Sequence, residues 1–343
     1  MRETRSPRQS DIARIAGVSQ AAVSMVLTGR ASENGIPEAT QLRIRTALTE
    51  LGYVPNAAAR SLRGGRNGLI GVHTFERVFP ISASDYYNEF LNGVEAQAVD
   101  EGLDLVLFAS TQRPDGTRSI YGNGSNRLRL ADGAIMLGFE KNDEELERLA
   151  GEGFPFVFIG RREIPGNRIP YVTADYFGAM EPVVELLSSN AHTNVVYLGA
   201  PLRRTPQVDR LEGLQHFAST ADAPAVKAVF LDPDEVTAEW VRSMIEGGAT
   251  AIIAETYILA RALRQAVAAE EIVVPEDLSV ICLDTDPLED HWTPWSQLGV
   301  PRREMGRRAV RVLLQLMDGL VAADYVETID CIPPTAASVA PKS

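Results

Sequence analysis

From Leu69 onward the chain alternates between short apolar runs and amphipathic stretches. "LIGVHTF" is followed by "YYNEFLNGVEAQAVDEG", then by "LDLVLFAS", "ADGAIMLG", "FPFVFIG" and "NVVYLGA". "VDRLEGLQHFAST" and "YILARALRQAVAAE" have helical spacing, "LSVICLD" is strand-like again, and "RREMGRRAVRVLLQLMDG" is a last helix. Apolar runs that do not alternate with polar residues suit strands buried on both faces. Such strands belong to parallel sheets with helices on each side. An α/β body with two parallel sheets is therefore expected over 67–343. A small molecule would bind between the sheets, outside the carboxyl ends of the strands.

The first 66 residues follow a different pattern. Ser10 can cap a helix whose apolar residues are Ile12, Ile15 and Ala16, and Gly17 ends it. Ser19 can cap a second helix that turns Val23, Val26 and Leu27 inward and closes at Gly29. After the turn "RASENG", Pro37 fits the start of a third helix that buries Leu42, Ile44 or the stem of Arg45, Leu48 and Leu51. This is a helix-turn-helix bundle. Its second helix exposes Gln20, Ala21, Ala22, Ser24 and Met25. Small side chains let a helix approach base edges in the major groove, where Gln20 can pair with adenine and an alanine methyl can meet a thymine methyl. Charge points the same way. Residues 1–66 hold ten arginines and five carboxylates, a balance of +5, so the rest of the chain carries −18 of the total of −13. A basic segment on an acidic body suits an anionic partner for that segment alone. Beyond it, "AAARSLR" has one large apolar residue, Leu62, and is too short to hold a helix alone in water. A hinge over about 56–63 that folds on DNA, with Leu62 as a minor-groove wedge, fits this composition.

"DIARIAGVSQAAVSMVLTG" followed by "LGYVPNAAARSL" resembles the DNA-binding domain of the lac-repressor (LacI/GalR) family of bacterial transcription regulators. The resemblance extends over the body, which is similar to two-lobed periplasmic sugar-binding proteins. It implies a repressor-type regulator that binds a palindromic double-stranded operator as a homodimer, under control of a small-molecule effector. The expected DNA-binding residues are Ser10, Ser19, Gln20, Ala21, Ala22, Ser24 and Met25 in the helical domain, and Asn56, Ala59, Arg60, Ser61 and Leu62 in the hinge. Met25 stands where family members often have arginine, so a guanine-reading contact is absent. The implied domains are 1–66 for DNA binding and 67–343 for effector binding and dimerisation. The first lobe covers about 67–161 and 301–320, and the second about 162–298 and 321–335.

Position matching places the effector among Arg161 or Arg162, Asp175, Arg210 and Asp284; Tyr86 and Tyr87 in "SASDYYNEF" and Thr256 after the strand "TAIIA" are further cleft candidates. Arginine and aspartate make paired hydrogen bonds to adjacent hydroxyls, and aromatic rings stack on a pyranose face. A sugar or sugar derivative is the expected effector, with a nucleobase or another metabolite as the alternative. Glu255, Thr256 and Tyr257 replace an Asn-Asp pair common in the family. The loop "ERVFPISAS" and the tryptophans Trp292 and Trp295 are also expected near the cleft.

Other classes fare worse. The acidic cluster Asp284, Asp286 and Glu289 with His291 matches no metal spacing, "GRNGLIG" is neither a P-loop nor a dinucleotide fingerprint, and no catalytic site, metal or cofactor is expected. A transporter's sugar-binding protein would lack the helix-turn-helix. No apolar run reaches the roughly 18 residues of a membrane span, and the charged start lacks a signal-peptide core, so a cytoplasmic protein without membrane contact is expected. Cys282 is read as a buried free thiol. The ending "CIPPTAASVAPKS" has no heptads, which argues for a dimer over a tetramer.

Overall fold

The computed structural model describes residues 7–27, 31–53, 66–76, 86–108, 113, 116–122, 124–140, 142–164, 166, 168–219, 223–286 and 295–342. The chain divides into two compact units, Met1–Asn67 and Gly68–Ser343.

In the first unit, α1 (Gln9–Ala16), α2 (Gln20–Leu27) and α3 (Glu38–Glu50) enclose a core of Ile12, Ala13, Ala16, Val23, Ile44 and Ala47. Gly17 closes α1 with φ 66°, a conformation that favours glycine. The Ser19 hydroxyl accepts the Ala22 N–H at 3.2 Å and so caps α2. Three expectations are corrected. Ser10 lies inside α1 and does not cap it; Arg8 precedes the helix, and Asp11 accepts its backbone N–H at 2.9 Å. Ile15 is 45% exposed because Ile12, Ala13 and Ala16 define the inward arc of α1, and Ile15 lies outside it. Leu42, 66% exposed, lies across α3 from Ile44 and Ala47. Gly29 and the expected hinge residues Asn56, Ala59, Arg60, Ser61 and Leu62 lie outside the described residues.

The second unit runs β1 (Leu69–Thr74), α4 (Asn88–Asp100), β2 (Asp104–Leu107), β3 (Gly133–Leu137), α5 (Asp143–Gly151), β4 (Phe156–Ile159), β5 (Tyr171–Ala174), α6 (Glu181–Ser189), β6 (Asn194–Gly199), α7 (Thr205–Phe217), β7 (Ala225–Phe230), α8 (Ala238–Glu246), β8 (Ala251–Ala254), α9 (Tyr257–Ala269), β9 (Ser279–Cys282), β10 (Ser296–Gln297), α10 (Arg302–Met317) and β11 (Val326–Ile329). It holds two parallel sheets, of order β11-β5-β4-β3-β1-β2 and β10-β9-β8-β6-β7. Both faces of each sheet are covered. Val157 and Ile159 pack with α4 and α10, whereas Phe156 and Phe158 pack with α5. Val195 and Tyr197 pack with α6 and α7, and Val196 and Leu198 with α8 and α9. Two-sided burial is why these strands read as continuous apolar runs.

The lobe boundaries differ from those expected. β5 pairs with β4, and β11 with β5, so residues 171–174 and 326–329 belong to the first sheet rather than the second lobe. The pairing buries Val172 and Ala174. The chain therefore first crosses between lobes after Ala174. It crosses back between Leu298, in the second core, and Val300, in the first, and crosses again after Ile329. The last two crossings are tied together where Gly299 and Ile332 exchange backbone hydrogen bonds of 2.9 and 2.8 Å. In the first lobe α4 and α10 cross at Gly93 and Gly306. A Cβ at Gly306 would stand 2.1 Å from the Phe90 carbonyl oxygen, so only glycine permits this approach.

Candidate functional site

Two surfaces emerge, one in each unit. In the first, Val23 anchors α2 to the core while Gln20 and Ala21 face solvent and Ala22, Ser24 and Met25 are half-buried. Short side chains on a capped helix leave its backbone accessible to a groove. Arg14 on α1 and Arg43 and Arg45 on α3 are exposed cations of the same unit. No motif picked them out; the arginine excess was the only signal for them.

In the second unit, the carboxyl ends of strands from both sheets open onto an interlobe cleft. It comprises a cavity of about 420 Å³ and another of about 310 Å³, and Tyr86, Phe139, Leu202, Arg204 and Pro206 line both. The apolar wall is an aromatic cluster in which Tyr86 lies 5.3 Å from Tyr87, 5.5 Å from Phe90 and 5.1 Å from Phe139, between ring centroids. Glu76 fixes the Phe139 loop by accepting the N–H groups of Phe139 at 3.2 Å and Glu140 at 2.9 Å, and it also accepts the Tyr87 hydroxyl. Burial and the Glu76 carboxylate raise the Tyr87 pKa, so the phenol stays protonated as a donor.

The polar wall is rich in guanidinium groups, several of which join the lobes. Arg302, at the start of α10, pairs with Asp284, which follows β9. Both are nearly buried, and Asp284 also accepts the Thr285 N–H at 2.8 Å. Burial lowers the Arg302 pKa, but the Asp284 charge, Tyr86, Tyr176 and the hydrogen bond to Asp284 together leave a net rise. Arg161, after β4, pairs with Asp209 on α7 and with Glu163 at 2.8 Å. Arg204, before α7, lies 3.9 Å from the Phe139 ring centroid across the cleft. Arg210 on α7 is buried, donates to the Glu255 carbonyl at 3.2 Å and lies 4.9 Å from the Tyr176 ring centroid. The Glu255 carboxylate is fully buried and accepts from Tyr197, Arg203 and, at 2.8 Å, the Ala200 N–H.

Tyr86, Tyr87, Arg161, Arg162, Arg210, Thr256, Tyr257 and Asp284 all line the cleft, although the Arg161 guanidinium is taken up by its interlobe pair. Thr256 caps α9 by accepting the Leu259 N–H at 3.2 Å. Asp175 is corrected: it is not among the lining residues. It accepts the Gly178 N–H at 2.8 Å instead, in a turn where any Cβ at Gly178 would strike its carboxylate. Trp295 is likewise corrected: it lies in the second-lobe core with Arg264 4.0 Å from its ring centroid. Asp286 pairs with Arg261. Trp292, Glu289 and His291 lie outside the described residues, as does all but Glu76 of "ERVFPISAS". Cys282 is buried, and burial raises its pKa. Sequence reasoning missed Arg203, Arg204 and Phe139, which sit on loops whose partners lie far away in the chain. Among the described residues no cluster of metal-ligating side chains occurs, and no helix is long and apolar enough to cross a membrane.

A capped small-residue helix in a helix-turn-helix unit, followed by a two-lobed body with a cleft at its strand ends, defines a DNA-binding regulator with a periplasmic-binding-protein-like domain. Residues 10–56 match the bacterial regulatory proteins of the lacI family, and residues 184–333 match the periplasmic binding protein-like domain. Residues 10–56 therefore carry a lacI-family DNA-binding domain, and the chain is a DNA-binding regulator of transcription. It is similar to the HTH-type transcriptional regulator CelR of Thermobifida fusca, at 25% identity over 93% of this chain and 94% of CelR. It is 27% identical to the ribose operon repressor of Escherichia coli strain K12, over 89% of this chain and 91% of the repressor. Among solved structures, a lac repressor dimer bound to operator and the anti-inducer ONPF has a TM-score of 0.71 at 19% identity, covering 98% of this chain and all (100%) of that one. A CelR–cellobiose complex has a TM-score of 0.62 at 23% identity, covering 95% and 98%.

Proposed function

We propose that this regulator is a repressor. It acts in the cytoplasm as a homodimer on a palindromic operator, and a sugar or sugar derivative held between its lobes controls its affinity for that operator. The observation that carries the reading is the set of contacts across the cleft: Arg302 with Asp284, Arg161 with Asp209, and Arg204 over Phe139. A ligand that enters this space competes with those contacts or adds to them. It therefore binds one lobe arrangement more tightly than another and shifts the balance between them. Aromatic faces beside arginine and aspartate suit a hydroxylated ring. CelR, a relative, has been solved with cellobiose, and the lac repressor has been solved as a dimer on operator.

In this reading Gln20, Ala21 and Ser24 meet base edges, Arg14, Arg43 and Arg45 meet phosphates, and Leu62 wedges a central pyrimidine–purine step. The test is a thermal-shift screen of the full chain against sugars, sugar acids, sugar phosphates and nucleobases, followed by calorimetry on Arg210→Ala. A stabilising sugar whose affinity falls about tenfold or more in the variant supports the reading. Unchanged affinity removes Arg210 from the site, and stabilisation by nucleobases alone replaces the sugar.

A further inference from the structure

Six arginines gather at the cleft, and only three of them have a carboxylate of their own. Arg161 has Asp209, Arg203 has Glu255 and Arg302 has Asp284. Arg162, Arg204 and Arg210 form no ion pair among the described residues. Arg162 is 8% exposed and bonds the Glu140 carbonyl, while its Nε has no partner there. Arg210 is 4% exposed, and its Nε is also without a partner. The carboxylate whose charge reaches it, Asp284, is already bonded to Arg302. Arg204 lines both cavities and rests on an aromatic ring. Carbonyl oxygens and ring faces satisfy donors but leave the charge unneutralised, and buried unpaired charge is expensive. Burial pulls the Arg162 pKa down, and the charges of Asp143, Glu76 and Glu140 oppose it without forming an ion pair. The first turns of α7 and α9 also line the cavities and add the positive ends of two helices.

We propose that the cleft takes a polyhydroxylated anion, a sugar whose frame carries a carboxylate or a phosphate, with its anionic group between Arg162 and Arg204 and its hydroxyls on Arg210 and Asp284. The proposal rests on the effector reading above and narrows it. A neutral sugar would cover Arg204 and leave it, like the already buried Arg162 and Arg210, without a carboxylate of its own. A hydroxyl already accepts a charge-assisted bond from a guanidinium, but a carboxylate or phosphate also brings the opposite charge and can accept two parallel N–H bonds from one arginine.

The experiment is calorimetry on the full chain with glucose and cellobiose as neutral probes, gluconate, glucuronate and a hexose monophosphate as anionic probes, and inorganic phosphate and hypoxanthine as controls, each at two salt concentrations. At least one anionic sugar is expected to bind about tenfold or more tightly than either neutral sugar, and to weaken as salt rises. Arg204→Gln should abolish that preference; its half-buried place in a loop makes it a safer substitution than Arg162. The carboxylate and phosphate probes tell the two sources of charge apart. A neutral sugar that binds as tightly as the anions overturns the proposal and leaves the sugar-effector reading standing. Inorganic phosphate that binds as tightly as the hexose phosphate also overturns it, because the hydroxyls would then count for nothing. Binding of hypoxanthine alone, or of no sugar at all, overturns the proposal and the sugar reading together.

Discussion

Asp284 and Arg302 meet in a nearly dry place, one from each lobe. Removing one partner of a buried pair strands the other charge and costs about 3–5 kcal/mol, whereas replacing both with apolar groups is often neutral. Asp284→Ala should therefore lower the melting temperature and weaken ligand binding together. Adding Arg302→Met should restore the melting temperature without restoring binding. Recovery of both, or of neither, in thermal denaturation and calorimetry would contradict this account. His73 makes a second prediction. It is buried on β1, and neither ring nitrogen has a hydrogen-bond partner among the described residues. Burial, then the Arg118 charge, lowers its pKa from 6.5 to about 4. Between those values the unfolded chain binds a proton that the folded one refuses. The His73 contribution to stability is thus complete above 6.5 and falls as pH drops toward 4, by up to about 3 kcal/mol. His73→Leu should flatten that stretch of a urea-unfolding pH profile, and an unchanged slope would rule the histidine out.

At the scale of elements, the close crossing of α4 and α10 depends on Gly93 and Gly306. Gly306→Ala places a methyl against the Phe90 carbonyl and forces the helices apart, at a cost of about 1–3 kcal/mol. Because Arg302 begins α10, the shift should also weaken ligand binding. Chemical denaturation and calorimetry on one variant measure both, and an unchanged midpoint would show that the crossing yields freely. Strands buried on both faces, such as β3, β4, β6 and β9, were legible as apolar runs. "AVKAVF" and "VETI" were not, because β7 and β11 are edge strands whose exposed residues break the pattern. The cleft was legible in the same measure. Arg210, Thr256 and Asp284 follow or face strand ends in chain order, so position was enough to find them. Arg204 and Phe139 meet across the lobes, which no local pattern encodes. Asp175 misled because an aspartate that closes a turn on Gly178 reads the same as one that waits for a ligand.

For the whole molecule, charge separates the two tasks. The segment before the body carries +5 and the remainder −18. Operator affinity should fall steeply with salt, with a log–log slope set by the phosphates that the arginines neutralise. A chain lacking residues 1–66 should keep ligand binding and lose DNA binding; retained DNA binding would move the interface into the body. Leu62→Ala should reduce the ratio of specific to non-specific affinity more than it lowers the melting temperature, and the reverse would give Leu62 a packing role. The most direct test of the whole account is fluorescence anisotropy of the full chain on an operator fragment selected from genomic DNA, titrated with and without a ligand that calorimetry has shown to bind. The account predicts that the ligand changes operator affinity about fivefold or more, and that Arg210→Ala abolishes the change while operator binding persists. A ligand that saturates the cleft and leaves operator affinity untouched would contradict it.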